Sequence, residues 1–438
     1  MTTAYSAAEI GALLRSHEAS AVEVASAALL RVEQEEARLN AFITITRDRA
    51  MREARAIDAA IARGEDLGPL MGVPWAIKDV FATEGAPTTG GSSALRDHRP
   101  PGDAAIVGRM TRAGAVLVGK TNLHELGWGL SPQIGRTNNP HDVALGSGGS
   151  SGGSAATVAC GAVPVAIGTD GGGSVRMPAA YCAVVGFKPT HGRISVAGHL
   201  PGAWTVGDAG PLARTTVDVA TTFAALSPAG GMPSQPGAAL RAGVVAGGTD
   251  GASDEIAEAF TGAIAMLRRS HHVDEVDLDL AGAFSAWAVT FAAELSTALR
   301  HWLGPRLGET SSELQEIVTM GEGIPAPAYL RAQRVRTRLF RQIEAALGSR
   351  DVLLTPAVLG PPPRDEDYWK TDDDSTGNSW LSLLNLTGHP ALVLPIGRPG
   401  SGASVQVIGR YGADERLLAA ALRIETALAQ PPTAAPTV

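Results

Sequence analysis

The sequence predicts an α/β fold in which helices cover both faces of a central β-sheet. Short β-rich runs at 73–80 and 114–119 are separated by a helical pattern over 104–112, and this alternation is typical of α/β proteins. Hydrophobic residues make up 45% and charged residues 18% of the 438-residue chain, which predicts a large buried core. Because no break in composition divides the sequence, we expect one large domain over residues 1–438.

The N-terminal residues 1–65 predict a helical scaffold. Two capping boxes, each a serine followed three residues later by a glutamate, begin helices at Ser6/Glu9 and Ser20/Glu23. A third helical pattern spans residues 47–63. Because these helices carry no cluster of reactive residues, we expect a scaffold or a dimer surface, and a homodimer is left open.

The later chain continues the alternation of strands and helices. We expect a strand at 163–167, a mostly helical region at 220–350, and C-terminal strands and a helix over 351–430. Within that last region the strands are predicted at 351–356, 391–395 and 404–408, and the helix at 413–428. The polar, aperiodic residues 361–378 predict a surface loop near a site entrance.

Charge and composition exclude several classes of protein. The net charge of −8 argues against a nucleic-acid-binding surface, and no apolar run is long enough to span a bilayer. The N-terminus has no signal-peptide pattern, and Cys160 and Cys182 lie in apolar surroundings typical of reduced thiols. We therefore expect a cytoplasmic protein. No Cys/His cluster has metal-ligand spacing, so neither a metal nor a cofactor is expected.

The most unusual stretch of the sequence is residues 146–179. Two runs rich in glycine and serine, 146–154 and 171–174, flank an apolar segment at 155–167. Glycine is costly to order, so dense runs suggest that backbone N–H groups approach something closely. A flexible linker is the alternative, but a linker would not enclose a core-like segment.

Two short stretches match the letter patterns of motifs from other families but lack the structural context that those motifs require. Residues 114–121 satisfy the phosphate-loop pattern, but the four intervening residues are Ala-Val-Leu-Val, so a buried strand is predicted instead. Residues 148–152 satisfy the G-x-S-x-G nucleophile elbow. None of the later histidines stands in a recognisable triad setting, although a histidine-based hydrolase is left open.

The 146–179 segment resembles the signature of the amidase signature family, serine hydrolases that cleave C–N bonds of carboxamides. Gly-Gly-Ser-Ser-Gly-Gly-Ser, an apolar run and Gly-Thr-Asp-Gly-Gly-Gly-Ser-Val-Arg-Met-Pro-Ala match the family pattern almost throughout. Gly171 departs from the threonine that is more common there. The resemblance covers a signature core at 72–218 and implies the family fold, a single α/β domain with a mixed central β-sheet.

The resemblance also implies a catalytic triad of Lys78, Ser150 and Ser174. In the family, an unprotonated lysine is the base, a bridging serine that follows a cis peptide bond relays the proton, and the last serine is the nucleophile. The cis bond maps onto Gly149–Ser150. The positions that match the oxyanion hole are Gly171, Gly172, Gly173 and Ser174. The positions that match the hydrogen-bonding support of this loop are Asp170 and Arg176.

Lys78 has a competing interpretation. By itself, it would be interpreted as the ion-pair partner of Asp79 or of another carboxylate, but the two serine motifs favour the catalytic role. Lysine titrates near 10.4 in water and is a poor base at pH 7. Burial in the apolar 73–80 run would lower the pKa of Lys78, so that a neutral amine accepts the proton of Ser150.

Aromatic residues elsewhere in the chain are candidates for an acyl pocket, although tryptophan is more often simply packed. These candidates are Trp128, Trp204, Trp302, Tyr329 and Trp380. Because Met177, close to the nucleophile, is not basic, we expect an uncharged and partly apolar acyl group.

The resemblance predicts an amidase that cleaves a small to medium carboxamide, or a related bond such as that of a hydrazide, through an acyl-serine intermediate. The expected partner is a small-molecule amide or hydrazide, with no nucleic acid and no membrane. The alternative is the glutamine-hydrolysing A subunit of an amidotransferase complex. Those subunits generally continue further at the C-terminus than this chain does.

Overall fold

Strands from along the chain join one mixed β-sheet in the computed structural model, which describes residues 5–129, 134–227, 231–232, 239–364 and 378–429. The strands are β1 (Phe42–Ile45), β2 (Pro74–Lys78), β3 (Val116–Thr121), β4 (Val165–Asp170), β5 (Val185–Lys188), β6 (Asp208–Ala213), β7 (Arg241–Val245), β8 (His272–Val276), β9 (Val352–Thr355), β10 (Ala391–Pro395) and β11 (Ser404–Ile408). Their order across the sheet is β1-β3-β2-β4-β6-β5-β10-β11-β9-β7-β8. Parallel pairs lie at β3-β2-β4 and β9-β7-β8, and the other pairs are antiparallel.

Helices make up most of the remaining described chain. They are α1 (Ala7–Arg15), α2 (Ala21–Leu39), α3 (Arg47–Ala62), α4 (Ala105–Arg112), α5 (Gly152–Ala159), α6 (Arg176–Tyr181), α7 (Thr216–Leu226), α8 (Asp254–Leu267), α9 (Ala283–Leu303), α10 (Ser312–Glu322), α11 (Ala326–Leu347), α12 (Asn378–Thr387) and α13 (Asp414–Ala429). Every residue of β2, β3 and β11 is buried. Because successive side chains of a strand point to opposite faces, the sheet is covered on both sides, as predicted.

The local expectations are largely confirmed. Both capping boxes form at the starts of α1 and α2, and the phosphate-loop look-alike at 114–121 contains the buried strand β3. The predicted C-terminal strands pair as β10 and β11. Most of the predicted loop at 361–378, residues 365–377, lies outside the described residues. Within those residues, no helix is both long and apolar enough to cross a membrane.

The expectation of a mostly helical region at 220–350 missed one feature. The strands β7 and β8 lie inside it and form a parallel pair at one end of the sheet. The sequence of β8, His-Val-Asp-Glu-Val, leaves three of its five residues exposed, so no buried apolar run marks it as a strand. An edge strand needs few buried side chains, so the sequence of β8 lacks the apolar pattern that would predict a strand.

The sheet topology brings the predicted triad region together. β2 and β4 are parallel neighbours, with Trp75 opposite Val165 and Ile77 opposite Ile167. The carboxyl ends of parallel strands meet at one edge of a sheet, where α/β proteins commonly bind ligands. Lys78 ends β2, and Asp170 ends β4 directly before the second glycine run.

Candidate active site

Lys78 is completely buried and makes hydrogen bonds to three hydroxyl groups. Its Nζ lies 2.7 Å from Ser150 Oγ, 3.0 Å from Ser151 Oγ and 2.8 Å from Thr169 Oγ1. In the described part of the chain, no carboxylate oxygen lies within ion-pair distance of this nitrogen. The lysine is thus surrounded by groups that can exchange protons with it and by none that neutralises its charge.

This environment makes the amine of Lys78 much less basic than that of free lysine. Burial disfavours the ammonium form and lowers the pKa of Lys78 to about 7, although the charge of Asp170 opposes the shift. The competing interpretation, an ion pair with Asp79, does not hold. The Asp79 carboxylate lies 2.8 Å from Lys120 Nζ and accepts hydrogen bonds from Thr89 instead.

Ser150 lies in the loop that leads into α5. The Gly149–Ser150 peptide bond is cis, as the resemblance implies. A side chain at Gly149 would overlap the ring of His124, so glycine lets the loop pack directly against that imidazole. The Ser151 N–H donates to the carbonyl oxygen of Ser174 at 3.1 Å, which ties the two glycine-serine runs together.

The loop from Gly171 to Ser174 is held from below by Asp170. Its carboxylate accepts hydrogen bonds from the backbone N–H groups of Gly173 at 2.8 Å and Val175 at 3.1 Å. The N–H of Gly173, one of the predicted oxyanion donors, therefore already donates to Asp170. The N–H groups of Gly171, Gly172 and Ser174 have no such partner among the described residues, so they remain available to a ligand.

Arg176 anchors the carboxylate of Asp170 within the core. Its guanidinium donates to both carboxylate oxygens, at 3.0 and 2.9 Å, and both residues are fully buried. It also donates to the Leu381 carbonyl and to the side chains of Asn385 and Gln406. Although burial by itself would raise the pKa of Asp170, the ion pair with Arg176 lowers it well below its usual range.

We expect Arg176→Met to lower the free energy of unfolding by about 3–5 kcal/mol, because the buried Asp170 carboxylate loses its counterion. Urea denaturation measures the change. The matched control is Arg15→Met, which breaks an exposed pair with Asp66 and should cost about 1 kcal/mol or less. If Arg176→Met unfolded at the same urea concentration as the control, the buried pair would not hold the loop.

A cavity of about 1030 Å³ opens beside these loops. Ser150, Thr169 and Ser174 line it, and so do Gly171 and Gly172. Lys78, Asp170 and Arg176 lie beneath this surface in the core. The structure therefore brings the predicted triad, the unpartnered N–H groups of the glycine loop and the Asp170–Arg176 pair to a single site.

The predicted pocket residues separate into two groups. Trp128 and Trp204 line the cavity, and Trp204 is 56% exposed at its rim. The structure does not bring the other three to the described lining. Trp302 packs against His98, Tyr329 donates to Glu294, and Trp380 is buried in α12. Their aromatic character gave no information about the direction in which each side chain points.

One face of α9 forms the cavity wall that the sequence analysis missed. The cavity-lining residues recur at helical spacing along it: Phe284, Trp287, Ala288, Phe291, Leu295 and Ala298. Trp287 stacks on Phe291, with ring centroids 5.2 Å apart, and Phe291 packs on Trp128 at 5.4 Å. The i, i+3, i+7 spacing of aromatic residues predicts a shared helix face, and it could have marked this wall.

Charged groups are distributed unevenly around the cavity. Glu313, Glu316 and Asp208 line it, whereas no lysine or arginine belongs to its described lining. The Asp208 carboxylate is paired with the buried Lys188, whose Nζ lies 3.2 Å away. His124 and His199 also line the cavity, and burial together with the charge of Lys78 lowers the pKa of each to about 4. Both imidazoles are therefore neutral at pH 7.

Histidine-based hydrolysis finds little support in this geometry. Two histidines pair with carboxylates among the described residues: His191 Nδ1 lies 2.9 Å from Asp208 Oδ1, and His389 Nε2 lies 3.3 Å from Glu344 Oε1. Neither histidine is part of the described cavity lining that contains Ser150 and Ser174. Within the described ranges, no group of His, Cys, Asp and Glu side chains is arranged to hold a metal ion.

The fold and this site agree with comparisons to known proteins. The Amidase family model matches residues 23–418, so the chain belongs to the amidase family. It is therefore a hydrolase of carbon–nitrogen bonds other than peptide bonds. A crystal structure of an amidase superposes with a TM-score of 0.89 at 31% identity, covering 97% of this chain and 100% of the other. A bacterial aryl acylamidase of the amidase signature family gives a TM-score of 0.86 at 29% identity, with 97% and 96% coverage.

A curated relative points to a branch of this family. The A subunit of glutamyl-tRNA(Gln) amidotransferase from Carboxydothermus hydrogenoformans is 36% identical to this chain, over 92% of the chain and 93% of the relative. That relative is named as one subunit of an assembly, which implies protein partners. The expectation that a small-molecule amide or hydrazide is the only partner is therefore wrong.

Proposed function

We propose that this chain hydrolyses a carboxamide through an acyl intermediate on Ser174, as the amide-hydrolysing subunit of an amidotransferase. The observation that carries the chemistry is the 2.7 Å hydrogen bond between the buried Lys78 Nζ and Ser150 Oγ. The assignment to an amidotransferase rests on the similarity to the A subunit of that enzyme, which extends over 92% of the chain. The cytoplasmic location remains a prediction from the sequence.

In the proposed acylation step, Ser174 Oγ attacks the carbonyl carbon of the amide. The proton of Ser174 passes to Ser150 Oγ, whose own proton passes to the neutral Lys78 amine. When the C–N bond breaks, Ser150 protonates the departing nitrogen and takes a proton back from Lys78. The products of this step are the acyl-serine and ammonia or an amine.

Deacylation repeats the same proton transfers with water in place of the serine. Water attacks the ester carbonyl and gives its proton through Ser150 to Lys78. When the bond to Ser174 Oγ breaks, that proton returns from Lys78 through Ser150 to Ser174 Oγ, so that the carboxylic acid is released with the serine hydroxyl and the neutral lysine restored. Lys78 must be neutral at the start of each half-reaction. A pKa near 7 supplies a useful fraction of that neutral form at physiological pH.

The oxyanion that forms in each step needs hydrogen-bond donors that are already in place. The N–H groups of Gly171, Gly172 and Ser174 face no other partner among the described residues and border the cavity. Each preorganised donor is typically worth about 3 kcal/mol of transition-state stabilisation. Gly173 is not assigned this role, since its N–H donates to Asp170.

As part of an amidotransferase, the chain would take glutamine as its amide and deliver the released ammonia to a partner protein. The relative named as the A subunit of glutamyl-tRNA(Gln) amidotransferase supports this proposal by its identity and by nearly complete mutual coverage. The chemistry described above accommodates glutamine without change, because the side-chain amide of glutamine is a primary carboxamide.

A second candidate is the hydrolysis of amides that carry an apolar acyl group. The observation that favours it is the cavity lining, which includes the aromatic wall of α9 and has no lysine or arginine among its described members. Free glutamine carries an α-carboxylate, and a charged group taken into a cavity needs a partner of opposite charge. This lining also agrees with the uncharged acyl group predicted from Met177.

We expect ammonia release from glutamine to rise when the remaining amidotransferase subunits of the same organism are co-expressed and co-purified with this chain. The measurement compares glutamine with phenylacetamide, an uncharged aromatic primary amide, with and without the partner subunits. Ser174→Ala supplies the background rate for both substrates. If phenylacetamide were hydrolysed about tenfold faster than glutamine in both preparations, the second candidate would replace the first.

A further inference from the structure

The side chain of Trp287 makes a polar contact with the loop that precedes the nucleophile. Its indole Nε1–H donates to the carbonyl oxygen of Gly171 at 2.7 Å. The tryptophan is only 7% exposed and belongs to the α9 face that lines the cavity. A packed aromatic wall residue therefore also holds one peptide group of the proposed oxyanion hole.

This contact determines the direction of a neighbouring donor. The carbonyl of Gly171 and the N–H of Gly172 belong to one planar, trans peptide unit, so they point in opposite directions. When Trp287 holds the carbonyl oxygen on its own side, the Gly172 N–H is directed away from the indole. That N–H has no other partner in the described chain, and Gly172 borders the cavity beside Ser174.

The packing around this peptide leaves little room for it to rotate. A Cβ atom on Gly172 would come within 2.5 Å of the Trp287 ring, and one on Gly171 within 3.3 Å of Phe291. Neither glycine is in the left-handed region, whereas Gly173 has a φ of +113°. Glycine at 171 and 172 thus allows the aromatic wall to approach the backbone. A side chain at position 171 would press against the ring of Phe291.

We propose that Trp287 is a positioning residue that orients the Gly172 N–H as an oxyanion donor. This inference rests on the proposed role of Ser174 as the nucleophile. A rotated Gly171–Gly172 peptide would place a carbonyl oxygen where the donor belongs, and it would repel the developing negative charge. Trp287 prevents this rotation by a hydrogen bond on one side and by ring packing along the loop.

The test replaces the indole N–H and leaves the aromatic ring in place. In Trp287→Phe, we expect kcat for an amide substrate to fall roughly tenfold to a hundredfold, while KM changes less than about twofold. Rates are expressed per active site titrated with a fluorophosphonate, so loss of folded protein does not enter the comparison. The affinity for an aldehyde analogue of the substrate, which forms an oxyanion adduct on the serine, should fall in parallel with kcat/KM.

Two other variants separate positioning from packing. Trp302→Phe makes the same chemical change outside the described cavity lining and should leave kcat and KM unaltered. Replacing Trp287 with benzothienylalanine keeps the shape of the indole but removes its N–H, and it should reproduce the loss in kcat even if Trp287→Phe folds poorly. If this variant kept wild-type kcat and aldehyde affinity, the inference would be overturned. Failure of the fluorophosphonate to label Ser174 would instead overturn the proposed function.

Discussion

Ser174→Ala is expected to abolish turnover, with a loss in kcat of roughly four to six orders of magnitude, because the variant lacks the hydroxyl proposed to form the acyl intermediate. Covalent labelling by a fluorophosphonate should disappear in the same variant. Ser174 borders the cavity together with Gly171 and Gly172, whose N–H groups are available to an oxyanion. The measurement is steady-state amide hydrolysis combined with mass spectrometry of the labelled protein.

The matched control for this variant is Ser26→Ala. Ser26 is exposed on α2, and its hydroxyl donates to the Val22 carbonyl within the same helix. This substitution should leave both hydrolysis and labelling unchanged. If Ser174→Ala were still labelled, at Ser150 or at any other serine, the assignment of the nucleophile would be wrong.

Lys78→Ala is expected to lower kcat/KM about a thousandfold or more, because the relay loses the group that accepts the proton. In the wild-type enzyme, kcat/KM should rise about tenfold per pH unit below pH 7 and level off above it. The sign follows from the lowered pKa of about 7, since only the neutral amine accepts a proton and its fraction grows with pH. The apparent pKa of this profile belongs to the coupled Lys78–Ser150 relay and not to one residue. Lys78→Ala should remove this pKa from the dependence of kcat/KM on pH.

Lys78→Arg distinguishes a base from a positive charge. A guanidinium stays protonated throughout the accessible pH range, so this variant should be as inactive as Lys78→Ala. Thermal unfolding reports whether each variant keeps its fold. Substantial activity in Lys78→Arg would show that position 78 needs only charge, and the base would then have to be sought elsewhere.

The resemblance of the glycine-serine runs to the amidase signature supplied the candidate serines, whose catalytic roles remain predictions. Ser150, Ser174 and Asp170 are close in the sequence and carry motifs, and Lys78 reaches them because β2 and β4 are parallel neighbours. The short strands around them alternate with capped helices, so the fold class also followed from local patterns. Short-range sequence patterns of this kind predict local structure well because each residue type meets one requirement of the backbone or of the chemistry.

The parts that depend on tertiary packing could not be predicted in the same way. Trp287 and Phe291 reach the site from a helix more than a hundred residues later in the chain, with the Trp287–Gly171 contact spanning 116 residues. Composition marked five aromatic residues as pocket candidates, but it does not specify which face of a helix meets which loop. The edge strand β8 was missed because its exposed side chains lack a buried apolar pattern.

The hydrogen bonds of Arg176 also bear on the order in which the protein is made. Its partners Leu381, Asn385 and Gln406 follow it by 205, 209 and 230 residues. At a translation rate of about 5–20 residues per second, a ribosome needs roughly 10–50 s to cover that distance. During this interval the nascent chain already contains the lysine and both serines, but the guanidinium that braces the nucleophile loop lacks its later partners. Helix α12 and strand β11, which are synthesised late, therefore complete a site whose reactive residues were made first.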